Sequence, residues 1–190
     1  MRIISGTARG KKLKAPPGTN TRPITDMIKE ALFNVLGRGI VNSTLLDLFA
    51  GSGSVGIEAL SRGANKVVFI DSNIKAIQVI RENLVNCGFT DKYKFELYRN
   101  DVFRALEIIN KRQRKFDYIY ADPPFTVESI FKPLLIALDR PILTSGGILI
   151  IRFPRRTNLK VNLTRLKEYR ADNYGESTLH YYCLKEEMQY

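Results

Sequence analysis

Apolar and polar positions along this chain follow two periods, and the switches between them mark its elements. From residue 44 onward, five short apolar runs read as strands: TLLDLF (44–49), KVVFID (66–71), KFELY (94–98), FDYIYA (116–121) and GILIIRF (147–153). Between them, stretches near 54–62, 73–86, 101–112 and 128–138 carry apolar residues at helical spacing. Strand, helix, strand repeated in this way predicts parallel βα units in a doubly wound α/β sheet. STLHYYCLK (177–185) alternates weakly and predicts a last, antiparallel strand, whereas the stretch 155–175 shows no clear period.

Ahead of the sheet, Thr25 is a good N-cap for a helix over 26–36. Its apolar residues Ile28, Ala31, Leu32, Val35 and Leu36 share one face, and Gly37 offers a stop. Ala15 to Pro23, rich in Pro, Gly, Thr and Asn, reads as a linker. Before it, Arg2–Ile4 and Lys11–Leu13 predict a small hairpin around Gly6 and Gly10. The expected organisation is a basic arm, hairpin and linker over 1–24, free to reach away from the sheet, and an α/β domain over 25–190.

Composition narrows the class. A hydrophobic fraction of 44% and a charged fraction of 26% in 190 residues are those of a globular chain. No run approaches the roughly 18 apolar residues of a membrane-spanning helix, and the start MRIISGTARGKKLK has no signal-peptide h-region. Cys87 and Cys183 stand far apart with no CxxC spacing, which argues against a disulfide scaffold or a zinc module and fits a reducing cytoplasm. No His, Cys and acid cluster has metal-ligand spacing, so no metal is expected, and the single histidine, His180, reads as structural.

Charge adds a partner. Thirty Lys and Arg against nineteen Asp and Glu leave +11. The excess is clustered: residues 1–22 hold Arg2, Arg9, Lys11, Lys12, Lys14 and Arg22 with no acid. Seven cations, Arg155 and Arg156 among them, stand in 152–170 beside the single Glu168. Clustered positive charge is the footprint of a polyanion, and nucleic acid is the expected partner. Arg2, Arg9, Lys11, Lys12, Lys14, Arg22, Arg155 and Arg156 are its candidate contacts.

Three loops carry candidate chemistry, each following a predicted strand. Asp47-Leu-Phe-Ala-Gly51-Ser-Gly53-Ser-Val-Gly56 places G-x-G-x-x-G between the first strand and a helix. Glycines there permit a tight turn and close ligand approach, beside helix N-terminal N–H groups. Asp71 ends the next strand, twenty residues after Gly51, where a carboxylate can accept from ribose hydroxyls. By itself the glycine pattern fits NAD, FAD or S-adenosylmethionine. Asp101, after the third strand, suits an adenine amine and equally suits a helix N-cap. The candidate cofactor contacts are Asp47, Phe49, Gly51, Gly53, Ser54, Asp71, Ser72, Asn100, Asp101 and Val102.

Asp122-Pro123-Pro124-Phe125 follows the fourth strand. Two prolines fix the backbone and leave carbonyls beside a carboxylate. Paired acceptors suit an –NH2 group, and Phe125 offers a face on which a base can stack. These four residues are the candidate catalytic set. Tyr118, Tyr120, Phe131 and Phe153, within apolar runs, are expected in the core.

At these residues the chain resembles a family. Asp-Pro-Pro-aromatic is similar to the motif of S-adenosylmethionine-dependent methyltransferases that act on exocyclic amines of bases. More narrowly, the chain resembles the bacterial 16S ribosomal RNA guanine-N2 methyltransferases that modify the guanine-966 position. MRIISG (1–6), RPITDMIKEALFNVL (22–36), DLFAGSGSVGIEALSRGA (47–64), DPPF (122–125) and YGESTLHYY (174–182) carry that likeness. It implies a Rossmann-like class I methyltransferase fold, with a seven-stranded, mostly parallel sheet and one antiparallel strand. It also implies S-adenosylmethionine as cofactor and a cytoplasmic monomer without membrane contact, acting on 16S ribosomal RNA as naked RNA, within a small-subunit assembly particle or in a finished subunit. In it, Asp122 and the Pro123 carbonyl would hold the guanine amine.

Two positions depart from the family pattern. An acid or histidine often follows the fifth strand, where this chain has Arg152-Phe-Pro-Arg-Arg156, so no base contact carries over there. After Asp71, Ser72-Asn-Ile is less charged, which leaves the ribose contact on Asp71. Three other functions share part of the pattern. A DNA adenine-N6 methyltransferase would need a recognition domain for which there is little room. A nicotinamide dehydrogenase leaves DPPF unexplained, and a non-catalytic RNA-binding module leaves both loops idle.

Overall fold

Five strands alternate with helices as the periodicity predicts, and two more follow directly, in a computed structural model that describes residues 1–17, 24–157 and 159–188. The strands are β1 (Thr44–Leu48), β2 (Lys66–Asp71), β3 (Phe95–Arg99), β4 (Phe116–Ala121), β5 (Leu143–Pro154), β6 (Leu166–Tyr174) and β7 (Ser177–Leu184). They form one sheet in the order β3-β2-β1-β4-β5-β7-β6. Pairing is parallel from β3 through β5, and β7 is antiparallel to both β5 and β6. So β7 alone runs against the rest, in the doubly wound, Rossmann-like arrangement expected. The strand order reverses between β1 and β4, and open α/β sheets bind ligands outside the strands' carboxyl ends at such a point.

Strand parity sorts the side chains into two layers. Leu45, Val67, Phe69, Tyr118, Tyr120 and Ile150 join the core on one face with α1 (Asp26–Leu36), α2 (Ser54–Ser61) and α3 (Ile74–Asn86). Leu46, Leu48, Val68, Ile70, Ile119 and Ile151 join the other with α4 (Val102–Lys111) and α5 (Phe131–Leu138). Tyr118, Tyr120, Phe131 and Phe153 are buried, as expected. Among the described residues no helix is long and apolar enough to cross a membrane.

Local signals set the first helix. The Thr25 hydroxyl accepts from the Ile28 N–H at 3.3 Å, and Gly37 ends α1 at φ +55°. The helix predicted over 128–138 instead begins with a 3-10 turn, Glu128–Ile130, and α5 follows with Pro133 in its first turn, where its missing N–H costs no bond. The stretch without a clear period contains β6. As an edge strand it exposes nearly every side chain between Lys167 and Arg170, so no alternation marks it.

The arm departs most from expectation. The predicted hairpin forms, with an antiparallel bridge from Arg2 to Lys12 and the Ile3 N–H donating to the Lys11 carbonyl at 2.9 Å. It does not reach away. Ile3, Ala8 and Leu13 are buried in the α1–α3 layer. The Ala8 N–H donates to Ser61 Oγ at 2.9 Å, and Asn83 on α3 both accepts from the Lys14 N–H and donates to its carbonyl. Covered by this hairpin, α2 is buried along all eight of its residues. A Cβ on Gly6 would lie 1.8 Å from the Ser61 carbonyl oxygen, so only glycine allows this approach. Most of the predicted linker, 18–23, and with it Arg22, lies outside the described residues.

Candidate acceptor and cofactor site

Residues of like parity at neighbouring strand ends meet on one face, and this rule builds the site. Asp47 on β1, Asp71 on β2, Tyr120 on β4 and Arg152 on β5 all fall on the α1–α3 face. Asp122, two residues past Tyr120, continues that row. Ala121 pairs with Ile151, so the next positions, Asp122 and Arg152, stand side by side.

The glycine loop is shaped by its own acids. Asp47, fully buried, accepts from the Gly56 N–H at 3.0 Å. Burial pushes its carboxyl well above the usual carboxylate range, against the pull of that N–H, and the charges of Asp122 and Asp71 push the same way as burial. Asp71 accepts from the Gly51 N–H through Oδ2 and from the Asn73 N–H through Oδ1, both at 2.8 Å. Gly51 and Gly53 take φ +56° and +74°, and Phe49, unusually for a bulky residue, takes +57°. A Cβ on Gly56 would meet the Phe69 ring at 2.2 Å, so α2 packs too closely on β2 for any side chain there. A Cβ on Gly51 would meet only the Phe49 carbonyl oxygen, at 3.9 Å, leaving open space beside the backbone. An open glycine backbone beside a partly exposed carboxylate fits the nucleoside and charged ends of a cofactor.

The structure divides the predicted cofactor set. Gly51, Gly53 and Asp71 come together at the carboxyl edge. Asp47 and Ser54 are buried beneath the loop, where the Ser54 hydroxyl accepts from Lys29 Nζ at 3.0 Å, so both support its shape. Asp101 caps α4 by accepting from the Arg104 N–H at 3.1 Å, and Asn100 donates its N–H to the Asp71 carbonyl at 3.0 Å. Ser72 accepts from Arg99 Nε at 3.4 Å, while Val102 is core and Phe49 packs against the α4–α5 layer. Asp71→Ala is expected to weaken donor binding by about 1–3 kcal/mol, through loss of a charged acceptor and of the hydrogen bonds it accepts from the Gly51 and Asn73 N–H groups. Calorimetric titration reads this directly.

At the DPPF loop, Arg152 Nη1 lies 3.0 Å from Asp122 Oδ2 and 3.4 Å from Oδ1, and the Tyr120 hydroxyl donates to Oδ2 at 3.3 Å. The Arg152 guanidinium also covers the Phe125 ring, 4.9 Å from its centroid. Burial pushes the Asp122 carboxyl above its usual range, and Arg152 and Tyr120 pull it back part of the way. Pro123 is buried, while Pro124 and Phe125 are half-buried at the rim.

Among the predicted RNA contacts, Arg9, Lys11 and Lys12 are exposed on the docked hairpin, and Arg155 and Arg156 are exposed just past β5. Arg2 pairs with Asp26 at 3.0 Å and Lys14 with Glu82 at 2.7 Å.

Sequence reasoning missed two roles. Arg152 stands out in the sequence only as a departure from the family pattern, although a cation inside the apolar run ILIIRF is itself a signal. Lys29 sits on the buried face of α1, its Nζ donating to the Arg2 carbonyl at 2.6 Å and lying 3.5 Å from Glu58. Helical spacing could have placed it there, between Ile28 and Leu32.

Three comparisons bear on the chain as a whole. The model of the family described as Conserved hypothetical protein 95 matches residues 1–183. A Bacillus subtilis protein named "Putative rRNA methyltransferase YlbH" is 41% identical over 176 residues, 92% of this chain and 94% of its own. "Ribosomal RNA small subunit methyltransferase D" of Buchnera aphidicola is 30% identical over 159 residues, 84% of this chain and 81% of its own. Among solved structures, "Putative methyltransferase yhhF" from Escherichia coli shares the fold with a TM-score of 0.82 and 28% identity, covering 96% of each chain. With a match that runs from the docked hairpin through both loops into β7, this chain belongs to the family described as Conserved hypothetical protein 95.

Proposed function

We propose that this chain is an S-adenosylmethionine-dependent ribosomal RNA methyltransferase that methylates the exocyclic N2 amine of one guanine in 16S ribosomal RNA. By resemblance, that guanine is position 966. The observation that carries the reading is the Asp122-Pro-Pro-Phe125 loop at the carboxyl end of β4, on the same sheet face and edge as the glycine loop and Asp71. Relatives named as ribosomal RNA methyltransferases support the substrate class.

S-adenosylmethionine, when bound, supplies a methyl group already activated on a sulfonium. The chain's task is alignment, which can contribute about 7–11 kcal/mol toward the barrier. Gly51 and Asp71 would hold the donor across the ends of β1 and β2. Asp122 and the Pro123 carbonyl would accept from the two N–H bonds of the amine and aim its lone pair. The carboxylate then faces nitrogen as positive charge develops there. The guanine must first be splayed from its stack, and Phe125 offers the surface that receives it. Deprotonation follows transfer, with solvent as the acceptor.

Exposed cations on the hairpin and past β5 would hold the RNA backbone, with the protein acting as a cytoplasmic monomer on a small-subunit assembly particle. Arg9, Lys11 and Lys12 are exposed and have no acid partner among the described residues. Replacing all three by Ala should leave the melting temperature nearly unchanged and flatten the slope of log K against log salt by about two to three. An unchanged slope would remove the hairpin from the RNA surface.

Mass spectrometry of 16S ribosomal RNA from a deletion strain tests the function. One N2-methylguanine should disappear and return when the purified protein and S-adenosylmethionine are added to small subunits from that strain. An unaltered set of methylated guanines would defeat the reading.

A further inference from the structure

We propose that Arg152 is the positioning residue of the acceptor site, holding the Asp122 carboxylate and the Phe125 ring in one fixed relation from the neighbouring strand. This deepens the methyl-transfer reading above and rests on it. One guanidinium makes both contacts. Its Nη1 pairs with Asp122 at 3.0 Å, and its plane covers Phe125 at 4.9 Å. The side chain is 3% exposed and stands in the middle of the sheet, so parallel pairing between β4 and β5 sets its position and leaves it little freedom to wander.

Two consequences follow from the geometry. First, the carboxylate becomes asymmetric. Oδ2 takes the closer approach of Arg152 and the Tyr120 hydroxyl, which leaves Oδ1 as the edge with acceptor capacity for an incoming amine. A carboxylate paired to a guanidinium is a strong hydrogen-bond acceptor, so Asp122 orients the amine while solvent takes its proton. Second, with Arg152 on one side of Phe125, only the opposite face of the ring is available for a base to stack.

The charged groups around Asp122 define what removal of Arg152 does. Burial disfavours the ionised form of Asp122, Arg152 on β5 opposes this by charge and hydrogen bond, and the Tyr120 hydroxyl on β4 adds a second hydrogen bond; Asp122 in turn raises the Asp47 carboxyl on β1. His180 on β7 lies on the other face, against Phe153. Without Arg152, Asp122 would keep the penalty of burial and lose its cation, and would take up a proton at higher pH. The proton would turn an acceptor oxygen into a donor, which cannot receive an amine N–H.

The test compares the wild-type protein with Arg152→Gln and Arg152→Lys. The Asp122 carboxyl is titrated by carbon NMR without donor or RNA, and kcat/KM is measured against pH on small subunits from the deletion strain. In Arg152→Gln the NMR midpoint and the acid limb should rise together, by about one to three pH units, because the opposite charge is gone. Arg152→Lys keeps the charge and loses the plane. Its acid limb should stay near that of the wild type, while KM for the RNA substrate rises at least fivefold. A uniform loss of activity at every pH in Arg152→Gln, with an unmoved NMR midpoint, would reduce Arg152 to a structural residue and overturn the proposal. Should Arg152→Gln fail to fold, the lysine variant decides, since an unchanged KM would equally overturn it. Absence of methyl transfer by the wild-type protein would defeat the functional reading instead, and the NMR titration would still report on Arg152.

Discussion

Replacing Asp122 with Asn is expected to lower single-turnover methyl transfer at least about a hundredfold while donor affinity stays within a few-fold, because alignment and charge at the acceptor matter most in the transition state. Asn keeps the volume and one acceptor oxygen, so the loss reports on charge and on the second acceptor. Labelled-donor turnover and calorimetric titration separate the two quantities. Transfer at the wild-type rate would show that the amine is held elsewhere. The pH dependence has a definite sign. Burial raises the Asp122 carboxyl above its usual range, so kcat/KM should fall as pH drops through that raised value and the acceptor becomes protonated. The acid limb should therefore lie above the ordinary carboxylate range, and Asp122→Asn should abolish it. For stability the sign reverses. A carboxyl whose folded value is raised favours the folded state most fully below its unfolded value, and that contribution is lost as pH rises through the folded one.

Glu58→Ala is expected to cost about 3–5 kcal/mol of stability, the usual effect of removing one partner from a buried charged network. Glu58 has no exposed side-chain surface. Its carboxylate accepts from the Ile4 N–H at 2.8 Å, the Ser5 N–H at 3.0 Å and Arg62 Nε at 2.8 Å, with Lys29 Nζ 3.5 Å away. Alanine would strand the Lys29 ammonium, which burial already pulls below its usual range, and two backbone donors of the hairpin. The melting temperature should drop by roughly 6–20 °C, a range set by the scaling for chains of this size. By contrast, Asp26→Ala, which removes only the exposed partner of Arg2, should change stability by less than about 1 kcal/mol. Lys29→Met in the Glu58→Ala background should restore part of the loss. Strictly additive effects in that double-mutant cycle would show that the two residues are not coupled. The same network makes truncation of the hairpin a poor probe of RNA binding, since removing residues 1–14 uncovers α2 and takes from Glu58 its two backbone donors and from Lys29 the Arg2 carbonyl.

The hairpin also ties its exposed cations to the glycine loop. Lys29 joins the Arg2 carbonyl to the Ser54 hydroxyl, and Asn83 joins the Lys14 backbone to the Ser52 carbonyl, at 2.9 Å. Loop and hairpin are therefore joined through two buried side chains, Lys29 and Asn83. Cofactor affinity would then fall with any change that loosens the hairpin, even one far from Gly51.

Periodicity and turn chemistry, which act over a few residues, were enough to set the element order, the helix Thr25 caps, the antiparallel last strand and the three loops at strand ends. The site's sequence signals were of the same local kind: glycines where the backbone takes positive φ, an acid at the end of β2, and a carboxylate between a strand and two prolines. What the sequence left open depends on neighbours far along the chain. Strand β6 has no pattern because an edge strand buries little. Asp47 and Ser54 look like ligand contacts, yet packing turns them inward to shape the loop. The hairpin reads as a free basic arm because its five charges up to Lys14 dominate its composition, whereas the burial of Ile3, Ala8 and Leu13 decides its place. Arg152 stands thirty positions from Asp122, and only the register of β4 on β5 brings the two together. Local sequence determines what each segment can form; which side chains become partners is decided by register and burial, which exist only once the sheet is assembled.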